Sequence, residues 1–423
     1  MLTVYLVLLL AIPSGLTITA LGSLGRPSLI WGLILLIGWA ISRLQANQAA
    51  VRSLAQPVRF AFACFVVIAL ISFAAAMLRG QPDDQLSPAI TAQLRLLSWA
   101  GVLLVTVDGI RTKKDLACMV RRIGIGAGLL AALGLLQAVT GQALVDFFGT
   151  LPGLSMAGGL GERAGVIRSS GTAIHPLEYA SALNAALPLV IAAAVAVGFR
   201  SPPTRQAIWW WLPVGLISVS SLVAVSRSAI IGFVVAAVSM IPAIPKRYLP
   251  TILLVGTVIA FAVLVSIPGL RTTIVTLFVG AADDPSTQSR TSGVERVPGF
   301  MSVSPLVGSG FGIFLPRYYI FDNQWVLLAV ELGVLGILGF AGLFAAGLWS
   351  ARRSKLSTDS DIRLLGQALA ASLITLAVLF AFFDGLSFPL AGGMLFLLLG
   401  LCASVRTIVE TSGNPRVSQS GDI

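Results

Sequence analysis

Charge is scarce in this chain, and lysine, histidine and cysteine are scarcer. Only 11% of its 423 residues are Asp, Glu, Lys or Arg, against about 25% in a soluble globular domain, which excludes an ordinary water-exposed fold. One histidine, His175, and three cysteines, Cys64, Cys118 and Cys402, argue against a histidine-rich or Cys/His metal centre. Cys64 and Cys402 lie in apolar runs and Cys118 in a loop read as inward, so no outward disulfide is expected. The four lysines are Lys113, Lys114, Lys246 and Lys355. No basic stretch or small-residue cleavage site accompanies the apolar amino terminus, which is read as a first span.

What the chain has instead is apolar length. Hydrophobic residues make up 57% of it and the mean hydropathy is +0.93. Runs of spanning length fall near 3–22, 28–42, 59–78, 92–108, 123–141, 177–198, 208–225, 228–245, 249–267, 324–348, 364–383 and 386–404. The expected fold is all-α, a polytopic membrane protein of about twelve transmembrane helices with a large, partly helical extracytoplasmic loop. With the amino terminus inside, all four lysines fall on or beside inward loops, as the positive-inside rule requires. The net charge of +11 then reads as a topology signal and an attraction to anionic membrane lipids, with no need of nucleic acid. Trp209, Trp210 and Trp211 fit an aromatic belt at the inner boundary.

Four regions follow: helices one to five over 1–141, a Gly-rich outward loop with helices six to nine over 142–267, a large outward loop over 268–323, and helices ten to twelve with a cytoplasmic tail over 324–423. The outward segments 142–176 and 268–323 are long enough to be lids or binding elements. The second opens with an apolar stretch, 274–279, expected to lie along the membrane surface. Asp284 and Pro285 then have the chemistry of a helix start, and a short helix carrying Arg290 should follow, ending not far past Pro298. The segment 305–312 reads as a glycine turn entering the tenth span. Gly333, Gly336, Gly339 and Gly342 recur every third residue and suggest a smooth packing face.

The outward segments hold arginine without lysine: Arg168, Arg227, Arg290, Arg296 and Arg317. Guanidinium suits forked recognition of phosphate oxygens and is costly near hydrocarbon without a partner, which makes an outward-facing phosphate site worth considering. The competing reading is a snorkelling or ion-paired arginine, with Asp283, Asp284 or Glu295 as partner. Three residues are candidate bases for a hydroxyl proton. His175 and Glu178 share a face if the sixth span starts there, although His175 also suits a packed helix start. Asp322 ends the large loop, where it or Asn323 could equally cap the tenth span. The acid pairs Asp83-Asp84 and Asp283-Asp284 are read as solvated.

Several of these patterns coincide in order with one known family. The segment Arg168-Ser169-Ser170-Gly171-Thr172 through His175-Pro176, the pair Ser226-Arg227, the helix carrying Arg290, the turn Pro305-Leu306 with Gly308, Gly310 and Gly312, and Asn323 followed ten residues later by Gly333-x-x-Gly336 together resemble the O-antigen ligase and polymerase superfamily. Asp322 stands where the ligases of that family carry histidine, which favours a polymerase-like member. The resemblance implies a glycosyltransferase of the bacterial cytoplasmic membrane acting on its outer face, inverting, and using neither nucleotide sugar nor metal. It implies a polyprenyl-diphosphate-linked glycan as donor and a second lipid-linked repeat as acceptor, with other polysaccharide-assembly proteins as possible partners. Arg168, Arg227 and Arg290 would clamp the diphosphate, Arg296 and Arg317 standing in reserve. The alternatives are a ligase, passing finished glycan to lipid A core, protein or another acceptor, and a secondary transporter, for which matched halves would be expected.

Overall fold

Proline opens many of the helices, where its missing N–H costs nothing and its fixed φ is already helical. The computed structural model describes residues 1–45, 55–163, 166–199, 209–224, 226–246 and 285–412, with scattered positions between 249 and 265. Within these, α1 is Leu2–Leu10, α2 Pro27–Gln45, α3 Pro57–Leu78, α4 Asp83–Gly109, α5 Lys113–Thr140, α6 Pro176–Val195, α7 Trp211–Val223 and α8 Arg227–Met240. After the large loop come α9 Pro285–Met301, α10 Gln324–Arg352, α11 Ser360–Leu379 and α12 Pro389–Ser412. Side-chain caps start α5 (Thr112), α6 (His175), α10 (Asn323) and α11 (Asp359).

The protein is mostly helical, and eight of these helices are long and apolar enough to cross a membrane, with α7 and α8 as shorter apolar helices. The expected ninth span, the 274–279 stretch and the Asp284 cap lie largely or wholly outside the described residues. The first expected span is corrected. Its helix stops at Leu10, and nine residues rise only about 14 Å, less than half of a hydrocarbon core of about 30 Å. Pro13, Ser14 and Gly15 turn the chain, and it continues as strand β1, Leu16–Ile18. In turn, α5 begins at Lys113 under its Thr112 cap, so Cys118 is helical and not in a loop. Helix α9 carries Pro298 and ends three residues later at Met301.

Burial separates an inner set from an outer one. Helices α6 and α12 are buried over almost their whole length, whereas α2 and α3 turn apolar side chains such as Ile37, Ile41, Phe60 and Val67 outward, as lipid-facing helices do. Around α6 pack α5, α7, α8, α11 and α12, and α4 joins α2 to α12 while α3 lies on α10. Inside this bundle polar side chains bridge helices: Asn184 Nδ2 donates to the Ala229 carbonyl at 2.9 Å and Ser221 Oγ donates to Asn184 Oδ1 at 3.0 Å. Away from water such bonds hold helices together at a modest gain each.

The Gly-rich loop is tied down at both ends. Strand β2, Leu154–Met156, pairs antiparallel with β1, and β3, Gly161–Arg163, forms a hairpin with β4, Val166–Arg168. Gln137 at the end of α5 uses its whole amide: Nε2 donates to the carbonyls of Ala143 (2.6 Å) and Gly171 (2.9 Å), and Oε1 accepts from the N–H groups of Ser170 and Gly171.

Candidate functional site

The starts of α6, α8 and α10, the end of α11, the glycine turn and the β hairpin gather at one end of the bundle, opposite the end that carries the lysines. At the start of α6, His175 Nδ1 accepts from the Leu177 N–H at 3.1 Å. With that nitrogen acting as acceptor, the neutral ring carries its proton on Nε2. Burial and the neighbouring Arg168 charge pull its pKa down to about 4. His175 is therefore a cap and a potential Nε2–H donor, and its lone pair is taken. Glu178, fully buried, accepts from Ser14 Oγ (2.9 Å) and the Ile174 N–H (2.9 Å) through Oε2, and from the Leu390 N–H (2.7 Å) through Oε1. It clasps the α1–α2 connection, α6 and α12 together, and both oxygens are engaged.

Capping and chemistry separate at the start of α10. Asn323 Oδ1 accepts from the N–H groups of Trp325 (3.0 Å) and Val326 (3.2 Å), so the amide caps the helix and the preceding carboxylate, Asp322, does not. Gln324 then locks this start to the end of α11. Its N–H donates to the Phe380 and Phe383 carbonyls, and its Oε1 accepts from the Leu386 N–H at 2.7 Å. Asp322 is half-buried, and burial raises its pKa while the facing Arg290 charge opposes the rise. Within electrostatic reach lies Asp384, whose carboxyl burial pushes up to about 6 against a Ser387 hydrogen bond, with Asp322 adding to the push. A buried carboxyl raised by its surroundings and by a neighbouring carboxylate is a common device for holding a proton near neutrality.

The glycine turn enters a break in α10. Gly333 has φ +66° and ψ −162°, a conformation only glycine adopts without strain. At the break the Val334 and Leu335 N–H groups donate to the carbonyls of Pro305 and Leu306, while the N–H groups of Ser309 and Gly310 donate to those of Val330 and Glu331. A Cβ on Gly333 would sit 2.4 Å from the Leu306 carbonyl, and one on Gly308 2.3 Å from that of Glu331. The expected smooth glycine face is thus corrected at its first member: Gly333 breaks the helix, Gly339 alone packs on α3 through Phe65 and Ile68, and Gly342 faces open space. The carboxylate of Glu331, freed into the break, accepts from the Gly312 N–H at 3.0 Å and from the Phe314 backbone, pinning the turn.

Among the expected arginines, Arg290 Nη2 donates to the Phe382 carbonyl at 3.0 Å and its guanidinium lies over the Phe382 ring, which sets it between α9 and the end of α11, facing Asp322. Arg168 closes β4 opposite Gly161, beside His175. Arg227 opens α8, next to Ser226 and against α6, where Ala180, Ala224 and Ala229 cluster. Arg296, six residues beyond Arg290 and so about 120° around the helix, is exposed and lies over the Tyr319 ring at 5.1 Å. Arg317 is exposed and ion-paired with Asp84 on α4, with Tyr318 beneath it. Arg168, Arg227 and Arg290 thus share the end of the bundle that holds Asp322, whereas Arg317 is engaged at its rim.

Four buried or half-buried ionisable residues of this end, Glu331, Asp384, Arg95 and Arg26, are among those that escaped the sequence reading. Arg95 Nη1 donates to the Leu386 and Ser387 carbonyls, and the group lies within electrostatic reach of Arg26, Glu331, Asp384 and Glu178. Arg26 faces Glu178, and its Nε and Nη1 are buried without a hydrogen-bond partner among the described residues. The crevice between Arg26 and Arg95 measures about 10 Å³, room for one water and no more. All four stand inside or at the ends of apolar runs, where an ionisable side chain is itself a signal.

Residues 212–341 match the family model described as O-Antigen ligase. The matched stretch runs from α7 through the break in α10 and takes in Arg227, Arg290, Arg296, Arg317 and Asp322. No curated protein matches the chain.

Proposed function

From the match of residues 212–341 to the O-Antigen ligase family model, we propose that the protein is a member of the O-antigen ligase/polymerase superfamily and moves a glycan from a polyprenyl-diphosphate carrier onto the hydroxyl of a second lipid-linked repeat, at the end of the bundle holding Asp322 and on the outer face of the bacterial cytoplasmic membrane. The observation that carries this reading is the half-buried Asp322, released from capping by Asn323 and facing both Arg290 and Asp384. Asp322 takes the proton of the acceptor hydroxyl as its oxygen bonds to the anomeric carbon. The bond from that carbon to the diphosphate oxygen breaks on the opposite side, the electron pair leaves with the lipid diphosphate, and the anomeric configuration inverts. Arg290, Arg168 and Arg227 meet the charge growing on the leaving group, where fixed cations at a low-dielectric surface act most strongly. Asp384 lies within electrostatic reach, its own carboxyl held up to about 6 by burial with Asp322 adding to the rise. His175 and Glu178, their acceptor atoms engaged, hold the scaffold in this scheme, and Arg296 and Arg317 remain outside the clamp.

The matched family's description as a ligase favours a second reading, transfer of finished polymer to another acceptor, and one experiment separates the two. Lipid-linked glycans are profiled by gel and mass spectrometry in cells lacking the protein. Single lipid-linked repeats are expected for a polymerase. Accumulation of long lipid-linked polymer overturns that role in favour of the ligase, and an unchanged glycan profile overturns both.

A further inference from the structure

A second cavity, of about 330 Å³, opens between the outer ends of α3 and α4 and the glycine turn. Its walls include the amides of Gln81 and Gln85 and the rings of Phe300, Phe314 and Tyr318, with no charged side chain among the described lining residues, and Arg317 stands beside it, over the Tyr318 ring and donating from Nη2 to the Tyr318 hydroxyl. The aromatic wall is continuous. Phe300 meets Phe314 edge-on at 4.9 Å between centroids, Tyr318 follows at 5.6 Å from Phe314, and Phe314 lies 5.4 Å from Phe321, the residue before Asp322. The wall is also fixed in place. Glu331 holds the backbone at Gly312 and Phe314, and Ser309 is bonded to the Val330 carbonyl. Gln85 Nε2 donates to the Tyr318 hydroxyl, while its Oε1 is buried with no hydrogen-bond partner among the described residues.

We propose that this cavity is the subsite for a sugar ring of the acceptor glycan, a role that rests on glycan transfer at Asp322. A pyranose presents a face of C–H bonds edged by hydroxyls. The positive C–H edge suits the negative face of an aromatic ring, and a hydroxyl can donate to the waiting Gln85 Oε1 while side-chain amides donate and accept around the rim. A diphosphate is a poor fit because the described lining residues include no cation and the neighbouring Arg317 is already paired with Asp84. A prenyl chain would leave the buried Gln85 oxygen unsatisfied, which costs free energy. The volume lies in the range of small-molecule sites. Contacts argue for the acceptor: the aromatic wall runs through Phe314 to Phe321 beside Asp322, while Arg290 is held on the Phe382 carbonyl past the end of α11, so the hydroxyl and the leaving diphosphate are assigned to different groups of residues.

The test uses the full-length protein in detergent and, as probe, the reducing oligosaccharide released by mild acid from the cell's own lipid-linked repeats. Saturation-transfer NMR is expected to carry magnetisation from aromatic protons to the sugar ring C–H protons. Tyr318→Ala and Phe314→Leu should each weaken binding by about threefold to tenfold, Tyr318→Phe, which keeps the ring, should retain most of it, and binding of sugar-free polyprenyl diphosphate should not change. Tyr318 is 43% exposed, so its replacement leaves the fold intact, and a thermal melt verifies this. Unchanged oligosaccharide affinity in both variants overturns the proposal. So does saturation that reaches prenyl methyl protons instead and is lost in Tyr318→Ala, which would make the cavity a lipid site. Binding of free oligosaccharide needs no turnover, so the two readings fail separately: an active enzyme whose sugar affinity ignores these rings loses the subsite, and an inactive protein that binds sugar through them loses the reaction.

Discussion

The two ends of the bundle treat carboxylates in opposite ways. At the lysine-bearing end acids meet cations directly. Asp108 accepts from Trp39 Nε1 at 2.7 Å, Arg43 at 2.5 Å and Arg59, Lys113 bridges Asp359 and Asp361 at 2.7 and 2.8 Å, and Glu410 takes Arg406 at 2.6 Å. At the other end Glu178 and Glu331 are held mainly by backbone N–H groups, and Asp322 and Asp384 lie within electrostatic reach of each other in partly buried surroundings, with Asp84–Arg317 as an exposed ion pair at the rim. Direct pairing spends a charge on holding the fold. Holding a carboxylate by backbone dipoles, or leaving it near another acid, keeps it available to a substrate or a proton, and ionisable groups kept in apolar surroundings mark functional sites.

The sharpest way to break this comparison is to neutralise one acid at each end. Asp322→Asn keeps the shape and deletes the base, and transfer should fall by about a hundredfold to ten-thousandfold in an assay with lipid-linked substrate, with protein abundance unchanged. Arg290→Ala should cost at least about a hundredfold, and Arg290→Lys should recover little because an ammonium lacks the planar fork. Asp108→Asn should do the reverse, lowering melting stability by about 1–3 kcal/mol, given that the group is a fifth exposed, while turnover per folded molecule holds. Wild-type turnover in Asp322→Asn, or a transfer defect in Asp108→Asn at equal folded protein, would erase the distinction between the ends.

A second contrast lies within one helix. Gly333→Ala forces a side chain into a glycine-only backbone conformation and against the Leu306 carbonyl, at a cost of about 1–3 kcal/mol from the backbone alone. It should undock the turn and with it the Glu331 contact. Gly342→Ala, nine residues along the same helix, has open space around it and should melt like the parent or slightly higher, as alanine favours helix. Equal melting temperatures for the two variants would show that the break does not anchor the turn.

The carboxylate pair itself is sharpened by pH. Burial raises both pKa values, that of Asp384 to about 6, so activity that needs ionised Asp322 should fade on acidification sooner than an ordinary carboxylate predicts. The facing Arg290 charge opposes the rise at Asp322, so removing it with Arg290→Gln should move the acid limb of whatever activity survives to higher pH. A limb that stays fixed in Arg290→Gln would mean that the guanidinium does not act on Asp322.

How much of this was legible beforehand follows from what sequence encodes locally. Apolar runs located α2 to α8 and α10 to α12, because a span must be apolar along its length whatever surrounds it. Composition could not show that Pro13, Ser14 and Gly15 end α1 early, since the residues beyond them are apolar for strand pairing and packing rather than for lipid. Arg168, Arg227, Arg290 and Asp322 were visible as charges in outward segments or at span ends. Glu331 and Asp384 were visible as charges in or beside apolar runs, but their roles were not, because these depend on a helix break and a chain crossing far apart in sequence. The division of labour between Asn323 and Asp322 was open in the sequence and needed hydrogen-bond geometry to resolve.

The mildest variant tests whether the lysine end is silent in chemistry. Lys113 and its partners are each more than a third exposed, where an ion pair contributes at most about 1 kcal/mol. The Lys113 contacts pull the Asp359 carboxyl below its ordinary range, beyond what burial does to raise it. Lys113→Gln should therefore shift melting by only a degree or two near pH 7 and by less in acid. The sign follows from Asp359: its folded pKa lies below the unfolded value, so the stability it contributes is present above the unfolded pKa and disappears as pH falls through the folded one. Transfer per folded molecule should not change, because no group at the other end of the bundle feels a screened surface charge across the membrane thickness. A fall in transfer at equal protein and unchanged melting would tie this end to the reaction and end the assignment of ions to two separate tasks.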